Sequence, residues 1–103
     1  MLERSPRFPI EIPIRYRRVS EPVWHEGVTE NVSRSGVLFH SSFALKARAK
    51  VQLDFALPLE VLGHVAGRVT CRGCVVRVEN GTGIRVAATI SDYRFVSPGK
   101  AAR

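Results

Sequence analysis

Residues 64–90 read HVAGRVTCRGCVVRVENGTGIRVAATI, and this segment indicates the fold class most clearly. Its first half alternates with a period of two, which is typical of a β-strand with one buried face. One face carries Val65, Gly67, Val69 and Cys71, and the other carries Ala66, Arg68, Thr70 and Arg72. The dipeptide Asn80-Gly81 favours a tight hairpin turn. Because Ile84, Val86, Ala88 and Ile90 alternate in the return strand, the segment predicts a long antiparallel hairpin.

Gly73 interrupts the first strand of this hairpin, which is expected over His64–Glu79. Glycine inside a strand often marks a bulge, so we expect a bend at this residue. Val76 and Val78 are expected to resume the apolar face beyond the bend.

The alternation begins near the N-terminus. Ile10, Ile12, Ile14 and Tyr16 are separated by polar residues or proline, which indicates a half-buried first strand. Pro13 lacks a backbone N–H and therefore indicates an edge strand or a bulge.

Further strands are expected over residues 24–30, 36–41 and 51–57. Single helical turns are the most that the sequence supports, over Ser42–Ala49 and over Ser91–Val96 with Ser91 as the N-cap. Six or seven short strands with turn residues between them predict an all-β fold, a small antiparallel barrel or sandwich.

Length and composition indicate one globular domain. The chain has 103 residues, of which 45% are hydrophobic and 24% charged, and this composition argues against disorder of the whole chain. We expect a single domain over 1–103, with a flexible Arg-bearing arm at 1–9, the barrel at 10–96 and a loose tail at 97–103. No apolar run is long enough to span a membrane and no secretory signal is evident, so a cytoplasmic location is expected.

The charge points to an anionic partner. Sixteen Lys and Arg stand against nine Asp and Glu, which gives a net charge of +7, and 13 of the 16 cations are Arg. Arginine makes planar, two-pronged contacts to phosphates and base edges, so a nucleic acid, a nucleotide or a membrane surface would fit. Solubility alone is the competing explanation of the charge.

Residues for enzymatic chemistry are sparse. His25, His40 and His64 have no carboxylate or cysteine at a spacing that favours a metal site or a nucleophile. Cys71 and Cys74 form one Cys-x-x-Cys pair, which is half of a zinc site, and two semi-buried thiols are the better interpretation. The sequence therefore predicts a protein that is not an enzyme, with no metal and no cofactor.

Two short segments stand out as binding candidates. The segment Asn31–Gly36, NVSRSG, joins two predicted strands and is rich in small polar groups. Its glycine allows a sharp turn or the close approach of a ligand. Arg4 and Arg7 precede the first strand, where flexible guanidinium groups can fold over a nearby anion.

In this order the two segments resemble the PilZ domain family over roughly 3–95. The family pattern is R-x-x-x-R ahead of the first strand, followed by [D/N]-x-S-x-x-G. Asn31, Ser33 and Gly36 match the second motif in full, and Arg7 takes the place of the second arginine. The place of the first arginine holds Glu3, and Arg4 lies one position later.

The resemblance implies a six-stranded antiparallel barrel that binds the bacterial second messenger cyclic di-GMP and signals to a partner protein. The implied ligand-binding residues are Arg4, Arg7, Asn31, Ser33 and Gly36, with further contacts from Arg34, Arg77 and Arg85. An arginine fork matches the O6 and N7 acceptors of guanine, and such a contact is worth about 1–3 kcal/mol.

Two alternatives remain open at this point. A PilZ-like domain with a degraded ligand motif would serve only as a protein-interaction module, and Glu3 favours this interpretation. A small basic barrel could instead bind single-stranded nucleic acid, which would need a row of exposed aromatic residues. The strand alternation places Tyr16, Phe39 and Phe55 on the same face as their apolar neighbours, in the core, so nucleic acid is the weaker alternative.

Overall fold

The computed structural model describes residues 8–42, 45–57 and 67–96, and within these residues the fold is entirely β. Its strands are β1 (Pro13–Arg18), β2 (His25–Val32), β3 (Gly36–Ser41), β4 (Lys50–Leu57), β5 (Gly67–Asn80) and β6 (Ile84–Val96). All pairings are antiparallel, and the sheet closes into a barrel in the order β1-β2-β3-β6-β5-β4. The expected all-β barrel is confirmed. Positions 1–7, 64–66 and 97–103, which include Arg4, Arg7 and the predicted tail, lie outside the described residues.

The core is the inside of the barrel, and the period-two pattern fills it. On β4, Val51, Leu53 and Phe55 are at most 1% exposed, whereas the intervening Gln52 and Asp54 are only partly buried. The largest fully buried side chains are Tyr16, Phe39, Phe55, Ile14, Leu45 and Leu53. Burying one such side chain contributes about 1.5–3 kcal/mol. The core also includes Val32 of β2, Val69 of β5 and Val86 of β6, so all six strands contribute to it.

Tyr16 is the one large core side chain with a polar end. Its hydroxyl lies 2.7 Å from Ser41 Oγ and accepts the backbone N–H of Ser42 at 3.0 Å. The buried oxygen is therefore satisfied, and the aromatic ring packs against Phe39 at a centroid distance of 5.0 Å.

The first strand starts later than its apolar pattern suggests. Ile10 and Ile12 pack against the core but lie ahead of β1, which begins at Pro13. The prediction that Pro13 marks an edge strand or an internal bulge is wrong, because β1 pairs with β2 on one side and β4 on the other. Proline is tolerated here because it is the first residue of the strand.

The helical turn predicted over Ser91–Val96 is also wrong. These residues continue β6, where Arg94 lies opposite Thr70 of β5, so Ser91 caps no helix. The described part of Ser42–Ala49 has a turn at Ala47 and Arg48 in place of a helix. Cross-strand pairing outweighs the weak local preferences in both segments.

Bulges shift the register at three places, which are not where the sequence suggested. Glu30 is the extra residue on β2, Val76 is the extra residue on β5, and β6 has one between Ser91 and Arg94. Val76 is consequently 56% exposed while Val75 is fully buried, so the expectation that Val76 resumes the apolar face is wrong. Such bulges raise the local twist that a small closed barrel requires.

Gly73 keeps the regular strand register, and glycine is needed there because a neighbouring strand passes very close to it. It pairs with Val51 on β4 and with Ile90 on β6, so the predicted bend at this position is wrong. A Cβ atom at Gly73 would lie 2.2 Å from the backbone oxygen of Thr89 and 3.4 Å from Leu53 Cδ1. Glycine is needed because two strands approach too closely for any side chain.

Gly73→Ala should therefore destabilise the barrel by about 2–3 kcal/mol, since the backbone of β5 or β6 must move. Gly83→Ala is the matched control, because nothing lies within 4 Å of its added Cβ. Urea unfolding followed by circular dichroism measures both variants. Equal stability of the two variants would contradict the close approach.

Candidate functional site

The loop between β2 and β3 is held in shape by Ser33. Its Oγ accepts the backbone N–H groups of Ser35 at 3.2 Å and Gly36 at 3.1 Å. The N–H of Ser33 donates to the carbonyl of Gly36 at 2.8 Å. Ser33 is 1% exposed, so its hydroxyl lies inside the turn and fixes the path of the backbone.

The first described residues run beside this loop. The N–H of Phe8 donates to the carbonyl of Val32 at 2.9 Å, and the carbonyl of Phe8 accepts the N–H of Val32 at 3.0 Å. Thr29 anchors the same segment, because its hydroxyl accepts the N–H of Ile12 at 2.9 Å and donates to the carbonyl of Ile10 at 2.5 Å. The chain that follows Arg7 is thus bonded to the residue that precedes Ser33.

Tyr93 ties the loop to β6 from the other side. Its hydroxyl donates to the carbonyl of Arg34 at 2.6 Å and lies 3.3 Å from the carbonyl of Ser33. The N–H of Ile90 donates to the carbonyl of Ser35 at 3.0 Å. The bulge of β6, which includes Tyr93, re-aims this side chain toward the loop.

Burial raises the pKa of the Tyr93 hydroxyl to about 12, with a further contribution from the Cys71 thiol and an opposing one from Arg34. The phenol therefore stays protonated over the physiological range and keeps donating to the loop. Sequence reasoning missed Tyr93, because its partners lie 59 and 60 positions away and no local pattern reports them.

Asn31 and Arg34 complete the predicted loop site. Asn31 lies on β2 just after the Glu30 bulge and is half-buried, and Arg34 is exposed at the tip of the turn. Gly36 is buried and starts β3. The structure thus brings together the three motif residues of the loop and Arg34.

Arg77 and Arg85 lie in a separate network of charges on the outer wall of the barrel. Arg85 makes a two-pronged contact with Glu30, at 3.1 Å and 2.5 Å, and a third hydrogen bond to Glu79 at 2.6 Å. Arg77 also pairs with Glu79, at 2.9 Å. His40 Nε2 lies 3.0 Å from Glu30.

This network lowers the pKa of Glu30, chiefly through its hydrogen bond from Arg85, and the same bond raises the pKa of Arg85. Arg77 and Arg85, two of the three arginines expected to make additional ligand contacts, are therefore engaged by carboxylates. Because Glu30 is the bulged residue next to Asn31, the network reaches the edge of the loop.

The two cysteines are free thiols. Cys71 is buried and Cys74 is half-buried. They are three residues apart on β5, which places their Cα atoms about 10 Å apart, beyond the reach of a disulfide. Among the described residues, no group of three or more His, Cys, Asp or Glu side chains is arranged to hold a metal ion.

The comparisons with known proteins define the family. The sequence model of the PilZ domain matches residues 2–95, so the chain belongs to the PilZ domain family. Binding of cyclic di-GMP is the known role of this family, and its members are generally binding modules without enzymatic activity. No curated protein matches the chain.

Solved structures are similar in fold. The structure of the Bacillus subtilis inhibitor of motility (MotI/DgrA) aligns at a TM-score of 0.72 and 12% identity, covering 99% of this chain and 47% of that one. This chain therefore spans about half the length of MotI/DgrA. The PilZ domain of CeSA from a cellulose-synthesizing bacterium aligns at a TM-score of 0.63 and 22% identity, covering 85% and 82%. In the part of the chain that the structure describes, no helix has the length and apolar character of a membrane span.

The clamp by Tyr93 predicts a local effect on the loop. Tyr93→Phe removes one neutral hydrogen bond, so amide exchange at Ser35 and Gly36 should rise about fivefold, the equivalent of about 1 kcal/mol. Hydrogen exchange read by mass spectrometry measures the change. Ser91→Ala is the control, because its hydroxyl is on the same strand and contacts Arg72. Loop exchange that is the same in both variants would contradict the clamp.

The burial of Cys71 predicts unequal reactivity of the thiols. Desolvation raises the pKa of Cys71 to about 12 from its ordinary 9.0, so it holds no thiolate near neutral pH. Maleimide should modify Cys74 and leave Cys71 untouched in the folded protein, as read by peptide mass spectrometry.

The same shift predicts a loss of stability in alkali. The folded pKa of Cys71 is raised, so its contribution is full below about pH 9 and is lost as the pH rises through about 12. Cys71→Ala should make the unfolding free energy less dependent on pH over this window. Rapid labelling of Cys71 in the folded state would contradict both expectations.

Proposed function

We propose that this chain is a non-enzymatic receptor that binds cyclic di-GMP between Arg4, Arg7 and the Asn31–Gly36 loop, and that it then signals to a partner protein. The observation that carries the proposal is the pairing of Phe8 with Val32. Membership of the PilZ domain family supports the class of ligand.

Arg7 is joined directly to Phe8, the residue that is bonded beside the loop. The Cα atom of Arg7 is about 3.8 Å from that of Phe8, because consecutive residues are joined by a trans peptide. Phe8 is hydrogen-bonded to Val32, the neighbour of Ser33. A guanidinium group on Arg7 is therefore within side-chain reach of a ligand that rests on the loop.

The loop supplies the second half of the site. Because the hydroxyl of Ser33 is used inside the turn, we assign it the role of shaping the loop. The carboxamide of Asn31 can both donate to and accept from a guanine edge or a phosphate. Gly36 adds no side chain at the start of β3, so a planar base can approach the backbone.

Arginine chemistry suits the ligand. Cyclic di-GMP carries two phosphates and two guanines, and a guanidinium fork can pair with either group. A second guanidinium can stack on the purine plane. Arg34 is exposed at the tip of the loop and adds positive charge there, whereas Arg77 and Arg85 would first have to release Glu79 and Glu30.

Signalling would come from ordering of the N-terminal residues when cyclic di-GMP binds. The residues ahead of Phe8, which include Arg4 and Arg7, would fold over the ligand and change the surface that a partner meets. This can signal without catalysis. The cytoplasmic location expected from the sequence belongs to the same proposal.

A second candidate function rests on Glu3. This carboxylate occupies the place of the first arginine of the family motif and would repel a phosphate. A domain that has lost the ligand in this way would act only through contacts with a protein partner.

Isothermal titration calorimetry with cyclic di-GMP tests the proposal. The native chain should bind with a dissociation constant of about 1 μM or tighter. Arg7→Ala should weaken binding by about 10- to 100-fold, because it removes one two-pronged contact. Arg72→Ala is the matched control, since it removes the same charge from the exposed outer face of β5.

Glu3→Arg separates the two candidate functions. If the native chain is a receptor, restoring the arginine should tighten its binding by about tenfold. If the native chain gives no heat at millimolar ligand while Glu3→Arg binds, the ligand motif is degraded and the second function holds. Equal losses in Arg7→Ala and Arg72→Ala would contradict the assigned site.

A further inference from the structure

Arginines line one outer face of the barrel that the proposed ligand site does not use. We call this face, formed by the outward side chains of β1, β4, β5 and β6, the arginine wall. It consists of Arg15, Arg17, Arg68, Arg72 and Arg94. In the barrel order, β4 and β5 lie across the barrel from β3 and β2, which hold the Asn31–Gly36 loop.

The strand register sets the wall out in rows. One row runs Arg15, Asp54, Thr70 and Arg94 across β1, β4, β5 and β6. The next runs Arg17, Gln52, Arg72 and Ser91 across the same strands. Three inter-strand spacings make each row about 14 Å wide, so the wall is a broad surface and not a point site.

The wall has more positive charge than its own carboxylates neutralise. Asp54 pairs with Arg15 at 3.7 Å and with Arg68 at 3.2 Å, and its side chain is only 17% exposed. Arg72 and Arg94 are exposed, and their guanidinium groups have no hydrogen bond or ion pair to another described residue. The guanidinium groups of Arg72 and Arg94 are therefore available to bind an external anion.

A groove lies between these two free cations. It has a volume of about 580 Å³ and is lined by Gln52, Thr70, Cys71, Arg72, Asp92, Tyr93 and Arg94. Gln52 and Thr70 are already bonded to each other at 3.3 Å, and Gln52 accepts from Arg17 at 2.6 Å. The floor of the groove is thus fixed, and its two unpaired cations, Arg72 and Arg94, outnumber its one carboxylate, that of Asp92.

The chemistry of the wall favours carboxylates over nucleic acid. Asp54 already shows that one carboxylate fits between two arginines of this face. Arg15 and Arg17 stack on the ring of Trp24, with their Cζ atoms 4.7 Å and 5.2 Å from the ring centroid. Base stacking needs free rings, and this ring is occupied.

A membrane surface fits less well than a protein. The exposed large apolar side chains of the described residues are Val19, Val23, Val28 and Val76, and none of them is in the rows of the wall. Peripheral membrane binding combines cations with apolar side chains that enter the lipid. The wall offers cations without them.

We propose that the arginine wall docks a carboxylate-rich segment of a protein partner, with Arg72 and Arg94 as its main contacts. This goes beyond cyclic di-GMP binding and does not depend on it, since neither Arg72 nor Arg94 is among the residues assigned to the ligand site. Opposite charges across the interface would speed association and orient the partner.

Fluorescence anisotropy with a labelled octaglutamate peptide tests the proposal. The variant Arg72→Gln/Arg94→Gln should bind the peptide about tenfold more weakly than the native chain, and raising the salt to about 150 mM should weaken native binding. Lys46→Gln/Arg48→Gln is the matched control, because it removes the same charge from exposed positions between β3 and β4, off the wall, and should bind within about twofold of the native chain.

Three outcomes would overturn the proposal: no saturable binding of the peptide, equal weakening in both double variants, or wall-dependent binding that is tighter for octathymidylate or phosphatidylglycerol vesicles than for the peptide. Circular dichroism establishes that each variant is folded. Calorimetry with cyclic di-GMP on Arg72→Gln/Arg94→Gln should match the native chain. A failure of the messenger to bind any variant would count against the receptor function and leave the peptide result intact.

Discussion

Closure of the sheet by the pairing of β1 with β4 is the constraint on which the rest of the structure depends. Once Ile14 lies opposite Phe55 and Arg18 opposite Val51, every strand has two neighbours and the apolar faces share one interior. A six-stranded barrel is tightly curved, so its strands must twist and bulge to close. The bulges at Glu30, at Val76 and between Ser91 and Arg94 meet this need.

The bulges also create the candidate site. The irregularity in β6 lets Tyr93 reach the carbonyls of the β2–β3 loop, and the one in β2 puts Glu30 beside Arg85. The loop is therefore held from within by Ser33, from one side by Phe8 at Val32, and from the other by Tyr93. A ligand that rests there would meet a preformed turn, which reduces the ordering cost of binding.

Outside the loop, charged side chains form two contrasting surfaces on the barrel. On one wall Arg77, Arg85, Glu30 and Glu79 neutralise one another. On the other, arginines outnumber carboxylates, and two of them are without a partner among the described residues. A net charge of +7 is thus not spread evenly, and this asymmetry is what suggests a second surface.

The strand pattern follows from the residues alone, because a half-buried strand must alternate and each segment shows the alternation, as from Val51 to Phe55. The sequence also supplied the Asn31, Ser33 and Gly36 motif, since these residues lie together along the chain. The folded barrel was needed to locate the bulges, to explain Gly73 by the close approach of Thr89, and to show that Tyr93 holds the loop. Register and long-range hydrogen bonds join residues far apart in sequence, and these depend on the closed barrel as a whole.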